Sequence, residues 1–206
     1  YGTRISLFIG VSTVVIALVI GVTLGLVAGY FGGWLDFIIM RYIDLQWAFP
    51  NFIIAVYLVA VFGTGLTNVI VAISLAFIDD FARVARSVTL SLRREQYIDA
   101  AKTMGFSDAR ILFRHILPNT MAPIIVLATV SVSYAILGEA SLSFLGLGNP
   151  DDSVPEWGAM LGGAQQYFNT FPHLAFYPAI CIIIVALGFT LMGESMREAL
   201  DPKSRR

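Results

Sequence analysis

Residues 97–119 read "YIDAAKTMGFSDARILFRHILPN" and interrupt a strongly hydrophobic chain with a polar stretch. Of the 206 residues, 57% are hydrophobic and 13% are charged, and the mean hydropathy is +0.79. The charged fraction is about half that of an average globular protein. The composition is therefore typical of a membrane protein, and the polar stretch marks a segment outside the bilayer.

The first half of this interruption is predicted to be a short amphipathic helix. Tyr97, Ala101 and Met104 share one face at helical spacing, and Ile98 lies alongside them. Gly105 supplies the signal that ends the helix.

A second short helix, "DARILFRHIL", is predicted to follow. Ser107 and Asp108 form an N-terminal signal, and Pro118 ends this helix where the next apolar segment begins. The two helices therefore meet at Gly105. The alternative interpretation is a basic surface hairpin that only binds anionic lipid.

Five segments outside the interruption qualify as membrane spans, which need about 20 mostly apolar residues. The weakest is the third, because Asp79 and Asp80 lie near its end. Pro50 predicts a kink in the second. The five predicted spans are residues 5–30, 34–62, 67–84, 119–145 and 172–194.

The basic residues orient these spans. Residues 83–114 hold seven of the 13 lysines and arginines, and residues 197–206 hold four more. Five spans place both segments on one side, which the positive-inside rule makes cytoplasmic, and place the Lys- and Arg-free loop 146–171 outside. The N-terminus then lies outside as well, which predicts one further helix before it and six spans in the full-length protein.

Glu139 is a charged residue within the fourth predicted span. Such residues are rare and usually face a bundle interior or a water-filled cavity. One interpretation places Glu139 on a translocation path together with Ser141 and Ser143. The other makes it a structural carboxylate that is hydrogen-bonded to one of these serines or to a neighbouring helix.

Other charged and small residues have simpler interpretations. Arg41 and Asp44 are three residues apart on a helix and are expected to form a local pair that aids packing; the alternative is a gate. Asp79 and Asp80 are interpreted as offsetting the arginines that follow them, Arg83 and Arg86.

The outer loop is predicted to contain a short helix at the membrane surface. Ser153 and Glu156 form a capping box, and Trp157 and Tyr167 are expected to anchor the helix in the interface. The amphipathic spacing comprises Trp157, Leu161, Ala164 and Phe168. The alternative is a docking surface for an extracytoplasmic protein, with charge added by the "NPDDS" sequence.

The run "DAAKTMG", with Pro118 thirteen residues after Gly105, resembles the EAA motif of ABC-importer permease subunits. It departs from that motif at Asp99, where the family has Glu, and at His115, where the family has Ile. The wider chain resembles the dipeptide/oligopeptide/nickel branch of these permeases. That resemblance is carried by "RISLFIGV", "LGLVAGYFGGWLD", "MRYIDLQWAFP", "LSFLGLGNP", "PEWGAML" and "GESMREALDPK".

The resemblance implies an all-α, polytopic helical bundle of the type I ABC importer permease (MetI-like) fold across residues 1–206. It implies an inner-membrane subunit that forms, with a second permease, the pathway for di- and oligopeptides. Two cytoplasmic ATPase subunits, or one ATPase dimer, would dock on the coupling segment, residues 85–118, and an extracytoplasmic binding protein would deliver the substrate. The alternatives are import of nickel or another small solute by the same machinery, an ion-coupled secondary transporter that uses Glu139, or a purely structural membrane scaffold.

The resemblance also implies which residues couple to the ATPase: Glu95, Tyr97, Asp99, Ala100, Ala101, Gly105 and Pro118. On the translocation path, Glu139 would meet the amino terminus of a peptide.

The spacing of Gly21, Gly25 and Gly29 allows close helix packing, either within this subunit or with the partner permease.

No catalytic motif is present. The sequence lacks a phosphate-binding G-x-x-x-x-G-K-[ST] loop, so ATP hydrolysis is expected to belong to separate subunits. His115 and His173 are too isolated to predict a metal site. The single cysteine, Cys181, excludes an intramolecular disulfide. No cofactor and no nucleic-acid partner are predicted.

Overall fold

The computed structural model describes residues 2–151 and 153–200, and this part of the chain contains helices and no strand. Predictions on Tyr1, Asp152 and the last basic residues of the tail lie outside the described residues. The helices are α1 (Gly2–Phe31), α2 (Gly33–Trp47), α3 (Asn51–Phe62), α4 (Leu66–Ala76), α5 (Ile78–Leu92), α6 (Gln96–Thr103), α7 (Asp108–Ile111), α8 (Leu117–Phe144), α9 (Trp157–Ala164) and α10 (His173–Leu200). A π-helix (Leu112–Ile116) joins α7 to α8, and a 3₁₀ turn (Gln165–Tyr167) extends α9.

Three of these helical stretches are long and apolar enough to cross a membrane, namely α1, the continuous stretch Asp108–Phe144, and α10. A fourth candidate is the pair α2 and α3, which form one broken span with a bend of 92°. The break falls at Pro50, which precedes α3 and cannot donate a backbone hydrogen bond. The kink predicted at Pro50 is therefore confirmed.

The predicted third span, residues 67–84, is divided between two helices. Helix α4 ends at Ala76 and α5 begins at Ile78, with Phe77 between them. The 11 residues of α4 extend only about 16 Å, which is short of the roughly 30 Å of hydrocarbon. A crossing by this segment stays a prediction.

Helix α1 is the central element and packs along α5 through its glycines. A Cβ added at Gly21 would lie 2.6 Å from the Ile78 carbonyl oxygen, and one at Gly29 would lie 2.8 Å from Thr89 Cβ. Both distances are shorter than a real Cβ atom tolerates to a neighbouring heavy atom. At these positions, the two helices therefore approach more closely than a residue larger than glycine would allow. The interpretation that the glycines pack within this subunit is confirmed.

The outer helix α9 is held in a way that its local sequence does not predict. The capping box is wrong, because the Ser153 amide donates to Asp151 Oδ1 (2.9 Å) and the Glu156 side chain does not cap the helix. The Trp157 amide instead donates to Ser6 Oγ of α1 (3.2 Å). The expected anchor role of Trp157 is also wrong, since its side chain is only 3% exposed.

Candidate functional site

The coupling segment contains a short helix that is buried on one side and exposed on the other. The helix predicted over "REQYIDAAKTMG", residues 94–105, is confirmed as α6, which spans Gln96–Thr103. Its inner side is Ile98 and Ala101, which are 0% and 1% exposed and belong to the same core cluster as α1, α5 and α8. Tyr97 and Met104 flank this buried strip and are 41% and 65% exposed. The segment is therefore anchored in the core through one side only.

The predicted coupling residues lie almost entirely on the exposed side of this segment. Ala101 is buried, and all the others are exposed: Glu95, Tyr97, Asp99, Ala100, Gly105 and Pro118. The Asp99 carboxylate forms a 3.6 Å ion pair with Lys102 Nζ one turn away. Phe113, which sequence reasoning missed, adds an apolar side chain that is 70% exposed. A mixed apolar and charged surface of this kind is available for protein contact.

Gly105 ends α6 with a backbone conformation that favours glycine. Its φ is +77°, and an added Cβ would meet nothing within 4 Å, so the constraint is conformational rather than steric. The Gly105 amide donates to the Lys102 carbonyl (2.9 Å) and the Phe106 amide donates to the Ala101 carbonyl (3.1 Å). These two bonds form a Schellman motif, and the predicted helix stop is confirmed.

Polar contacts tie the coupling segment to the end of α1. The Tyr30 hydroxyl donates to Asp108 Oδ1 (2.6 Å), and Arg93 Nη1 donates to the Tyr30 carbonyl (2.8 Å). The His115 ring stacks on Phe106 at 6.0 Å between centroids. A displacement of the coupling segment would therefore act directly on α1 as well as on α8.

The second helix of the interruption does not end at Pro118, so that prediction is wrong. The helix runs on through the π-turn Leu112–Ile116 into α8. Pro118 is tolerated because it lies in the first turn of α8. The His115 carbonyl, four residues before Asn119, accepts a hydrogen bond from Asn119 Nδ2 (2.6 Å). The coupling segment is thus continuous with a span.

Glu139 is completely buried between α8 and the outer segment. Ser143 Oγ lies 3.0 Å from Glu139 Oε1 and 2.8 Å from Glu156 Oε2, so one hydroxyl links two buried carboxyl groups. Ser141 lies on the other side of α8, is exposed, and donates to the Leu137 carbonyl. This arrangement matches the structural interpretation of Glu139, and its place on a path stays a prediction. Sequence reasoning missed Glu156 as its partner.

The ion pairs on α5 differ from those expected. Arg83 Nη2 lies 2.8 Å from Asp44 Oδ1, and Arg86 pairs with both oxygens of Asp36 at 2.5 and 2.7 Å. Arg41 instead lies over the Phe37 ring. The expected local pair of Arg41 with Asp44 is wrong, because α5 brings a second arginine to the same carboxylate.

The two adjacent carboxylates of α5 lie in different surroundings. Asp79 is completely buried and accepts a hydrogen bond from Gln46 Nε2 (3.3 Å). Asp80 is half-buried and lines a groove. Neither carboxylate forms a direct ion pair with Arg83 or Arg86. Arg83 nevertheless interacts electrostatically with both, as the sequence interpretation expects, whereas Arg86 is offset by Asp36 instead.

This groove, which we call the mid-span groove, has a volume of about 340 Å³ and lies among α3, α4, α5 and α8. Its walls are mainly apolar, with a few polar groups that converge on it. Its principal lining residues are Asn51, Phe52, Phe77, Asp80, Tyr134 and Gly138. A largely apolar concave site with a few placed polar groups is the usual form of a small-molecule site.

Comparison with known proteins places this geometry in context. Residues 21–206 match the family described as "Binding-protein-dependent transport system inner membrane component". The chain is 45% identical over 205 residues to the dipeptide transport system permease protein DppC of Alkalihalophilus pseudofirmus, covering 100% of this chain and 67% of that protein. It is 46% identical over 202 residues to the glutathione transport system permease protein GsiD of Pectobacterium atrosepticum, covering 98% and 67%.

Solved structures share the fold at much lower identity. The chain superposes on an inward-facing MetNI methionine ABC transporter with a TM-score of 0.76 at 17% identity, covering 97% of this chain and 94% of that one. An amino acid ABC transporter with histidines gives a TM-score of 0.62, also at 17% identity, covering 100% and 92%. The chain spans about two thirds of the length of the relatives that it matches by sequence.

Proposed function

The chain belongs to the family of binding-protein-dependent transport system inner membrane components, and from this premise we propose that it is the permease subunit of an ABC importer that carries short peptides. The predicted family and the predicted MetI-like fold are confirmed. Peptides are supported as the substrate class because dipeptide and glutathione permeases are both about 45% identical to this chain. In such importers, ATP hydrolysis is carried by separate subunits, and the permease forms the path.

The observation that carries the proposal is that α6 has one side packed in the main core and the opposite side exposed. The buried side of the helix, Ile98 and Ala101, lies in the main core, while Tyr97, Ala100 and Met104 have their surface free in the described chain. A helix held in this way can receive a partner without losing its own packing. We assign this face to the ATPase, as the motif resemblance implies.

The same contacts support a route by which force reaches the spans. A displacement of α6 would be transmitted to the core through the contacts of Ile98 and Ala101. It would also reach α1 through the Tyr30–Asp108 hydrogen bond. The continuous helical stretch Asp108–Phe144 carries it along α8. Packed helices transmit such displacements because protein interiors are dense and deform little. Nucleotide-driven motion of the ATPases would thus switch the path between outward and inward access.

The proposal includes the partners and the orientation that go with this role. The ATPase subunits dock on the coupling segment, and residues 83–114 and the C-terminus lie on the cytoplasmic side of the inner membrane. A second permease completes the path, and a binding protein delivers substrate to the side of loop 146–171. Lipid surrounds the apolar exterior of α10 and α2. The full-length subunit has six spans.

One pair of matched variants tests the coupling assignment. The full-length subunit is co-expressed with its sister permease and ATPases. Ala100→Arg changes the exposed face of α6, and Ala159→Arg places the same substitution on an exposed position of α9, which is also eight residues long. We expect Ala100→Arg to abolish ATPase co-purification and ATP-dependent uptake of alanyl-alanine, and Ala159→Arg to keep the ATPase bound.

Gly105→Asp provides a second, independent variant. It strains the turn after α6 because Gly105 has a positive φ, without any steric clash. Gly146→Asp is its control, since Gly146 has a φ of +79° and an equally open surrounding in the outer turn. Undiminished ATPase binding and uptake in both Ala100→Arg and Gly105→Asp would contradict the proposal and favour the lipid-binding hairpin with an ion-driven mechanism.

A further inference from the structure

The mid-span groove lies where two helix breaks meet the middle of α8. Asn51 is the first residue of α3, after the 92° bend, and Asp80 is the third residue of α5, after the break at Phe77. Tyr134 and Gly138 are interior residues of α8. Irregular backbone at membrane depth is tolerated where it is buried in protein or lines a cavity. The groove is the cavity at these breaks.

Asp80 is the acidic side chain of this groove, and within the described residues Arg83 acts on it electrostatically without forming a direct ion pair. The arginines one and two turns along α5 are held elsewhere, Arg83 by Asp44 and Arg86 by Asp36. Across residues 2–151 and 153–200, the Asp80 side chain has no hydrogen bond or ion pair. Asp80 lies in the first turn of α5, where the helix N-terminus attracts negative charge.

We propose that Asp80 binds the cationic amino terminus of the transported peptide in the mid-span groove. This inference rests on the proposed function and names the group that recognises the substrate. The Asn51 amide and the Tyr134 hydroxyl line the same groove and offer hydrogen bonds to peptide carbonyl or carboxylate oxygens. Phe52 and Phe77 provide apolar walls for side chains. Dipeptides and glutathione differ in side chains but share an ammonium group.

The neighbouring acids are unsuited to this task. Asp79 is completely buried and is engaged by Gln46. Glu139 is also completely buried, with Ser143 and Glu156 around it, and it does not line the groove. A charged residue that reaches a cavity at membrane depth marks a ligand or ion pathway. Asp80 reaches a groove beside the broken span formed by α2 and α3, and Asp79 serves as its matched control.

The test uses the complete complex in lipid nanodiscs, without binding protein, and two probes, alanyl-alanine and N-acetyl-alanyl-alanine. We expect the wild type to bind the free amine at least about tenfold more tightly, a difference of about 1.4 kcal/mol. Asp80→Asn should remove this preference by weakening only alanyl-alanine binding. Asp80→Glu should restore part of it, and Asp79→Asn should keep the preference even if less protein folds.

A second measurement separates failure of this inference from failure of the proposed function. ATP-dependent uptake of alanyl-alanine is measured in proteoliposomes with the binding protein added, and Asp80→Asn is expected to raise its KM about tenfold. Absence of ATP-dependent peptide uptake in the wild type would contradict the proposed function itself. Wild-type uptake together with an unchanged KM in Asp80→Asn would overturn the role of Asp80. Equal affinity of the wild type for the two probes, including no detectable binding of either, would do the same.

Discussion

Substitution of Gly25 by alanine tests how tightly the spans of this permease must pack. An added Cβ would lie 2.7 Å from Ala85 Cβ and 2.9 Å from the Arg86 amide nitrogen, and it would collide with the Ala82 carbonyl oxygen. Two of these three atoms belong to the α5 backbone, so they cannot move without the helix. Relief therefore requires α1 and α5 to separate along their length.

The expected magnitude follows from two opposing effects. Overpacking a dense interior costs about 1–3 kcal/mol, and the backbone obstacles at Gly25 place it near the upper end. Alanine recovers about 0.5–1 kcal/mol of helix stability relative to glycine. We expect Gly25→Ala to lose about 2 kcal/mol in net stability. Gly188→Ala on α10, where nothing lies within 4 Å of the new Cβ, should gain up to about 1 kcal/mol.

The assay is the melting of a fluorescent fusion of the full-length subunit, followed by size exclusion after heating. A difference of about 3 kcal/mol corresponds to roughly 6–12 °C between the two variants, at about 2–4 °C per kcal/mol for a chain of this length. Each variant differs from the wild type by one methyl group in a membrane helix. If Gly25→Ala melts with the wild type or above Gly188→Ala, the reasoning from close helix approach is refuted.

Three further substitutions probe single contacts. Tyr30→Phe should speed amide hydrogen exchange in residues 105–111, since Asp108 loses a donor worth about 1.5–3 kcal/mol; unchanged exchange would contradict this. Asp36→Asn and Arg86→Gln should each lower the melting temperature. In a double-mutant cycle, the double variant should lose less stability than the two single losses added together. Strictly additive losses would argue against the ion pair. Glu156→Ala should speed amide hydrogen exchange in α9, whereas Glu156→Gln should leave the exchange rate close to that of the wild type. Equal exchange rates in the two variants would refute the role of the contact with Ser143.

Local signals in the sequence predicted the elements of the fold. Three of the five spans are single helical stretches and a fourth is a broken pair, because length and apolar composition are properties of the segment alone. The kink at Pro50 and the stop at Gly105 depend on backbone chemistry within a few residues, and both are confirmed. The motif that identifies the family is also local.

Predictions that needed a distant partner were wrong. Asp44 pairs with Arg83, 39 residues away, rather than with nearby Arg41. The amide of Trp157 is capped by Ser6, 151 residues away, rather than by a box within its own loop. Each local partner was a reasonable choice by spacing alone. Packing of the helices decided between them by bringing a better-placed group to the same atom.

The sequence by itself determined that the chain is an α-helical membrane permease with a polar coupling segment, since hydrophobic length, glycine, proline and motif spacing act over short stretches. The tertiary structure alone decided which face of α6 is bare, why Glu139 is enclosed by Ser143 and Glu156, and how Asp80 reaches a groove while Asp79 does not. The physical reason is that burial and ion pairing depend on which helices meet. Two neighbouring aspartates with the same chemistry acquire different surroundings only when α2, α3 and α8 pack around them.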